Sequence, residues 1–390
     1  MNKNRFLYLV KLIASLMVIT LHAPFGGWFG DIVYSIARFT VPFFFVVSGR
    51  FLLTRRKRSA QVVKDEAVGD RISVSINGAA PGGESRIRTV KGTAPVRKET
   101  LRALKKICRV TGIVYLVYLI YSLFFYLSGG MSISEWFTMK FNACEASIFF
   151  LFNSGRFIYD GSFVFDHMWY LFATIYVYAL IFIFAPVLRK WYRALVVMLM
   201  GLLFFGEVLQ SVYPIRPFDI SINTWYILRN WLLVGMPFIL LGILFSDHCE
   251  KLCSELSDDE YAYKFSRLKL PAILMTLFGA AESVFEQFTV GDKFVHLGSL
   301  LIVIGIMILS ECDIPVGNVL WKVGESAPNN IYFYHVLVIA ILDFLSQRGV
   351  IPEYPMWMKP LIVMAICICL FVTAPLVKAV REKRSMAAGK

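Results

Sequence analysis

The sequence is short of polar residues. Of 390 residues, 17% are charged, against 57% hydrophobic and 15% aromatic, with a mean hydropathy of +0.63. A soluble domain of that composition would lack the polar surface to cover itself, whereas lipid as the outer solvent removes the need. The short alternating segments of a membrane β-barrel are lacking too. The apolar runs are about twenty residues long, which is helical span length, and only helices and closed barrels satisfy their backbone groups in lipid. Cysteine is present without a framework: Cys367 and Cys369 fall inside an apolar run and Cys249 and Cys253 in an expected cytoplasmic loop, with no external pair. His248, Cys249 and Cys253 lack a fourth ligand, so no metal site is expected. No internal repeat and no soluble catalytic domain is visible.

What is present predicts an all-α, polytopic integral membrane bundle of about ten transmembrane helices. The spans are expected near 6–23, 34–53, 108–128, 168–187, 194–213, 225–245, 270–288, 294–310, 327–345 and 360–377. Glu282, Glu286 and His296 interrupt the seventh and eighth. The first span is too long for a cleaved signal peptide, contains Lys11 and has no small-residue cleavage site. The net charge of +13 invites a nucleic-acid partner, but its distribution argues against one. With the N-terminus inside, the basic residues fall mostly on the cytoplasmic side, which is the positive-inside bias. Both termini are therefore expected in the cytoplasm, in a cell membrane, with the lipid bilayer as partner and no nucleic acid. Residues 56–100 are rich in Gly, Ser, Lys and Arg and have no aromatic residue. They are expected to form a disordered cytoplasmic loop within a single membrane domain spanning 1–390.

Ionisable groups at membrane depth are costly and usually face a cavity or a partner. The first span carries Lys11 and His22. Eleven steps of 100° leave the two about 20° apart on one helix face, separated by roughly 16 Å of axial rise. The second span has Arg38 at its outer end and then Pro42-Phe-Phe-Phe-Val-Val-Ser48-Gly49, whose small residues permit close helix approach. The fourth opens His167-Met-Trp169-Tyr-Leu, the sixth Arg229-Asn230 and then Gly235-Met-Pro237, and the ninth holds Tyr332 and His335.

In order and spacing these motifs resemble the integral-membrane acyltransferase-3 family over most of the chain outside 56–100. That family has a basic residue and a histidine in its first span, matched by Lys11 and His22. Its Arg, Val-Pro-Phe-Phe-Phe and Ser-Gly are matched by Arg38, Val41–Phe45, Ser48 and Gly49. His167, Trp169, Tyr170 and Leu171 match its His-x-Trp motif. Arg229, Asn230, Gly235, Pro237, Phe238 and Gly242 match its Arg-Asn and Gly-x-Pro-Phe stretch, and Ile331, Tyr332 and His335 a late Ile-Tyr-x-x-His. Lys11 stands where arginine is commoner, and Arg50 follows Ser-Gly where an aromatic is usual.

The resemblance implies transfer of an acyl group, often acetyl, from cytoplasmic acyl-CoA as co-substrate to a hydroxyl of a cell-envelope glycan or lipid-linked sugar, with no cofactor and no metal. Histidine, with an ordinary pKa near 6.5, suits proton removal or acyl carriage at neutral pH, and cations suit CoA phosphates and developing negative charge. His22 and Arg38 are accordingly the expected catalytic residues and Lys11 the donor-binding one. Ser48, His167, Trp169, Arg229, Tyr332 and His335 are secondary candidates. The rival reading is a transporter of a small molecule through the same bundle.

Overall fold

In the computed structural model, which describes residues 4–56, 87–212 and 230–388, the apolar runs are helices. They are α1 (Asn4–His22), α2 (Gly27–Ala37), α3 (Thr40–Leu52), α4 (Thr93–Ser128), α5 (Ile133–Lys140), α6 (Ala143–Phe152), α7 (Trp169–Ile183), α8 (Ala185–Val212), α9 (Met236–Glu255), α10 (Asp258–Thr289), α11 (Leu297–Leu309), α12 (Asn318–Gln347), α13 (Met358–Phe371) and α14 (Thr373–Ala388). A π-helical turn at Trp231–Gly235 leads into α9. The chain is an all-α membrane bundle.

By length and composition, six helices among the described residues can cross a membrane, and up to eight if each of two bent pairs is one span. The expectation of ten separate spans is larger for two reasons. The expected fourth and fifth are one pair, α7 and α8, bent by 120°, and the eighth is α11, only 13 residues long. The α7–α8 bend has a local cause. Pro186 has no N–H to offer the carbonyl of Phe182 one turn back. Arg97 replaces it, donating from Nε to the Phe182 carbonyl and from Nη2 to that of Ile183, each at 3.0 Å.

Part of the stretch expected as a loop, 56–100, is regular structure. Residues 57–86 lie outside the described residues, but Ile87–Thr89 pairs antiparallel with Thr54–Arg56, with Thr54 opposite Thr89, and α4 begins at Thr93. Cys249 and Cys253, expected in a loop, lie on α9 instead. Cys249 is buried in a cluster with Tyr261 and Phe265, because α9 runs to Glu255, well past the expected span end.

Two features lock the helices around the site. The α3 and α9 backbones touch: a Cβ added at Gly49 would lie 1.9 Å from the Ile239 carbonyl oxygen, and one at Gly242 would lie 2.0 Å from that of Val46. Only glycine at both positions permits this approach. Below it, Arg50 donates to Glu311 and Ser310, and the Tyr261 hydroxyl donates to the other Glu311 oxygen at 2.8 Å. Arg50 and Glu311 are both buried, so the residue that stands where an aromatic is usual ties α3 to the end of α11.

Candidate active site

The site is assembled from four parts of the chain, none of which holds its position alone. His22 is the last residue of α1, and the next amide, Ala23, still donates to the Ile19 carbonyl at 2.8 Å. Arg38 occupies the two-residue junction between α2 and α3, so the second expected span is broken where its cation sits. Its Nη2 donates to the Tyr34 hydroxyl and to Asp292 Oδ1, both at 2.6 Å. The guanidinium carbon also lies 4.4 Å from the Tyr34 ring centre and 5.8 Å from that of Phe294.

His167 ends a loop, residues 153–168, that a buried ion pair organises. Lys140 Nζ donates to Asp160 Oδ2 at 2.7 Å, and both side chains are fully buried. Ser122 Oγ donates to the same oxygen at 2.7 Å, while the Ser162 amide and hydroxyl donate to Oδ1 at 2.9 and 2.6 Å. The carboxylate thus fixes Ser162, and the chain runs from there through the fully buried Val164 and Phe165 to His167. A buried charge needs that degree of hydrogen bonding to be tolerated.

His335 stands mid-way along α12. Its Nδ1 lies 3.1 Å from the Ile331 carbonyl and 2.9 Å from that of Tyr332. Carbonyls only accept, so Nδ1 carries the proton and Nε2 presents a lone pair in the neutral ring. Likewise His167 Nε2 donates to the Phe333 carbonyl at 3.2 Å, a carbonyl that also accepts the Tyr118 hydroxyl at 2.6 Å. Tyr332 donates its hydroxyl to the His167 carbonyl at 2.9 Å.

The result is a triangle of imidazoles. The ring centres are 5.2 Å apart for His22 and His335, 5.4 Å for His167 and His335, and 6.3 Å for His22 and His167. Beside it lies a cavity of about 130 Å³ lined by His22, Tyr34, Arg38, Asp166, His167, Trp169, Phe294 and Tyr332 among others. Five of the expected site residues therefore share one cavity, and His335 packs directly behind it. Ser48 stands apart, its hydroxyl 3.1 Å from that of Tyr170. Lys11 lies eleven positions down α1, with Lys106 and Glu325 as its charged neighbours. Arg229 lies outside the described residues. Its neighbour Asn230 is a helix cap, accepting from the amides of Leu232 and Leu233 at 2.9 and 2.8 Å.

The cavity lies deeper than the outer span end at which Arg38 was expected. Gly324 of α12 abuts the Tyr8 carbonyl of α1, and His335 lies level with His22, so the two helices run side by side in one direction. Yet α12 continues twelve residues past His335 to Gln347, roughly 18 Å of rise. The end of α1 is thus well inside the bundle.

The family model described as an acyltransferase domain, Acyl_transf_3, matches residues 4–377, nearly the whole chain. The chain belongs to the acyltransferase-3 family. No curated protein and no solved structure matches it alongside that model. As a membrane acyltransferase it is a transferase for acyl groups other than aminoacyl, and the match runs through every element that builds the cavity. Sequence reasoning missed Asp166, Tyr34, Phe294 and Asp292 in this acyltransferase. Asp166 adjoins the His167 motif and was within reach of it. Nothing local marks Asp292 or Phe294, which meet Arg38 only because α10 packs against α2 and α11 against α3.

Proposed function

We propose that this acyltransferase moves an acyl group, specifically acetyl, from cytoplasmic acyl-CoA to a hydroxyl of a cell-envelope glycan or lipid-linked sugar. The observation that carries the reading is the shared cavity of His22 and Arg38: a base and a cation beside the same small space. His22 takes the acceptor's proton as the hydroxyl oxygen attacks the thioester carbonyl, or carries the acyl group between the two substrates. Arg38 binds the oxygen on which negative charge develops. His167 and His335 hold His22 in place through ring contact, their own tautomers set by backbone carbonyls. Trp169 and Tyr332 wall the cavity against water, Ser48 supports it from outside, and Arg229 has a supporting role.

Lys11 binds the donor's phosphates as a point charge. Its distance from His22 along α1 is the reach of an extended pantetheine arm, which places the phosphates at one end of the helix and the thioester at the other. This arrangement goes with both termini in the cytoplasm and one membrane domain, and with no metal or cofactor taking part. The test is incubation of the purified protein with labelled acetyl-CoA. Release of free CoA thiol supports the donor assignment; an intact thioester, with labelled acetyl-CoA unconsumed in the presence of envelope extract, overturns it and favours a transporter.

A further inference from the structure

A second group of polar side chains lies beside the catalytic cavity, between α10 and α11, and none of them touches the acyl-transfer residues named so far. Among the described residues, Ser283 Oγ, Gln287 Oε1, both ring nitrogens of His296 and Ser299 Oγ are buried without a hydrogen-bond partner, and Glu282 reaches only the Gly298 amide and Glu286. His296, Ser283 and Ser299 are each 0% exposed. Glu282 with Glu286 and Ser283 with Gln287 are spaced four apart on α10, so they present one face. His296 and Ser299 open α11 opposite. The helices meet backbone to backbone there: a Cβ at Gly298 would lie 2.1 Å from the Gly279 carbonyl and 2.5 Å from both Glu282 Oε2 and Ser283 Oγ. Glu282 Oε2 and Ser283 Oγ therefore lie side by side against the Gly298 backbone.

Leaving so many buried polar atoms unpaired is more than a marginally stable fold absorbs. Donors and acceptors are mixed and the space is tight, which suits water molecules with two to four polar partners each and no larger ligand. The site is also connected at both ends. Glu286 Oε2 accepts from the Leu297 amide at 3.0 Å, and Oε1 lies 3.4 Å from Lys293 Nζ. Glu282 and Glu286 stand one turn apart on the same face of α10, so a proton can pass between their carboxyl groups. The charges facing His296 are Glu286, Arg38, Lys293 and Asp292, and Arg38 and Lys293 also face Glu207 of α8. Arg38 and Phe294 line the catalytic cavity, and His296 follows Phe294 by two residues, so the polar group adjoins that cavity.

We infer that this chamber holds a chain of bound water and that it receives the proton taken from the acceptor hydroxyl. The inference rests on His22 acting as the base. An imidazolium formed beside the Arg38 cation is repelled, so the proton moves on. In the full step the acceptor's O–H bond breaks and an O–C bond forms to the acyl carbon. The C–S bond breaks with its electron pair leaving on sulfur, and the thiolate takes a proton from cytoplasmic water. The acceptor's proton passes through the chamber water to the Glu282–Glu286 pair and from there, past Lys293, to solvent.

Two measurements on the full chain in lipid nanodiscs test this. In X-ray hydroxyl-radical labelling, which marks side chains beside internal water, His296 is expected to oxidise despite its burial, while Phe238, equally buried in an apolar core, does not. An unlabelled His296 overturns the chamber. In acetyl-CoA turnover with water as acceptor, Glu282→Gln and His296→Gln are expected to lower kcat by at least about tenfold, to leave the acetyl-CoA KM unchanged and to raise the solvent deuterium isotope effect. Wild-type kcat in both variants overturns the proton route even if His296 is labelled. Failure of the wild type to release thiol even with envelope extract added counts against the donor assignment instead, and the labelling then decides the chamber by itself.

Discussion

Arg38 is held by Asp292 at 2.6 Å, a contact that joins the α2–α3 junction to the loop between α10 and α11. The Arg38 side chain is 12% exposed and that of Asp292 56%. The pair is thus half in water and contributes roughly 0–1 kcal/mol to stability, while it sets the direction of a guanidinium inside the cavity.

Asp292 is accordingly a positioning residue. Asp292→Ala is expected to lower kcat for thiol release from acetyl-CoA by roughly ten- to a hundredfold, because misplacement by an ångström is that costly. The thermal midpoint and the donor KM are expected to stay near wild type. Asp292→Glu, which keeps the charge, restores most of the rate. Equal loss of stability and rate in Asp292→Ala would make the contact structural only.

His22→Ala and His22→Gln are both expected to abolish transfer while the protein remains folded and inserted, as read by size-exclusion chromatography in detergent. Glutamine keeps size and hydrogen bonding but takes no proton and carries no acyl group. Near-native turnover in His22→Gln would move the chemistry to His167 or His335.

Lys11→Ala is expected to raise the donor KM by about ten- to a hundredfold, the worth of one charged hydrogen bond, with kcat little changed. Lys11→Arg retains much of the affinity. An unchanged donor KM in Lys11→Ala removes the residue from the donor site.

The Lys140–Asp160 pair predicts a stability effect with a rescue. Lys140→Met strands the buried carboxylate and is expected to cost about 3–5 kcal/mol, seen as a large drop in the thermal midpoint. Asp160→Asn in the same chain recovers much of it, since no charge is then left without its partner. Full additivity of the two changes would show that the pair does not interact.

The topology is tested from outside the cell. A cysteine replacing Ser75 is expected to resist a membrane-impermeant maleimide in intact cells, and one replacing Glu353, an exposed residue between α12 and α13, to react. The reverse pattern would invert the placement of both termini.

Composition and run length were enough to determine the membrane bundle, because burial of backbone polar groups in lipid leaves no other solution for twenty-residue apolar runs. The spacing of Lys11 and His22 was equally readable, being a property of one helix. The number of spans was harder to read, since a proline bend such as that at Pro186 has one cost when a carbonyl is left bare and another when Arg97 covers it. The site itself was decided only by tertiary structure. His22, Arg38, His167 and His335 come from four separate parts of the chain, and nothing in a one-dimensional pattern records that Gly49 and Gly242 let α3 and α9 touch, or that Asp292 reaches Arg38. Local sequence encodes which face of a helix is apolar. Which polar groups meet in the interior depends on helix packing, and that is settled by close contacts between residues far apart in the chain.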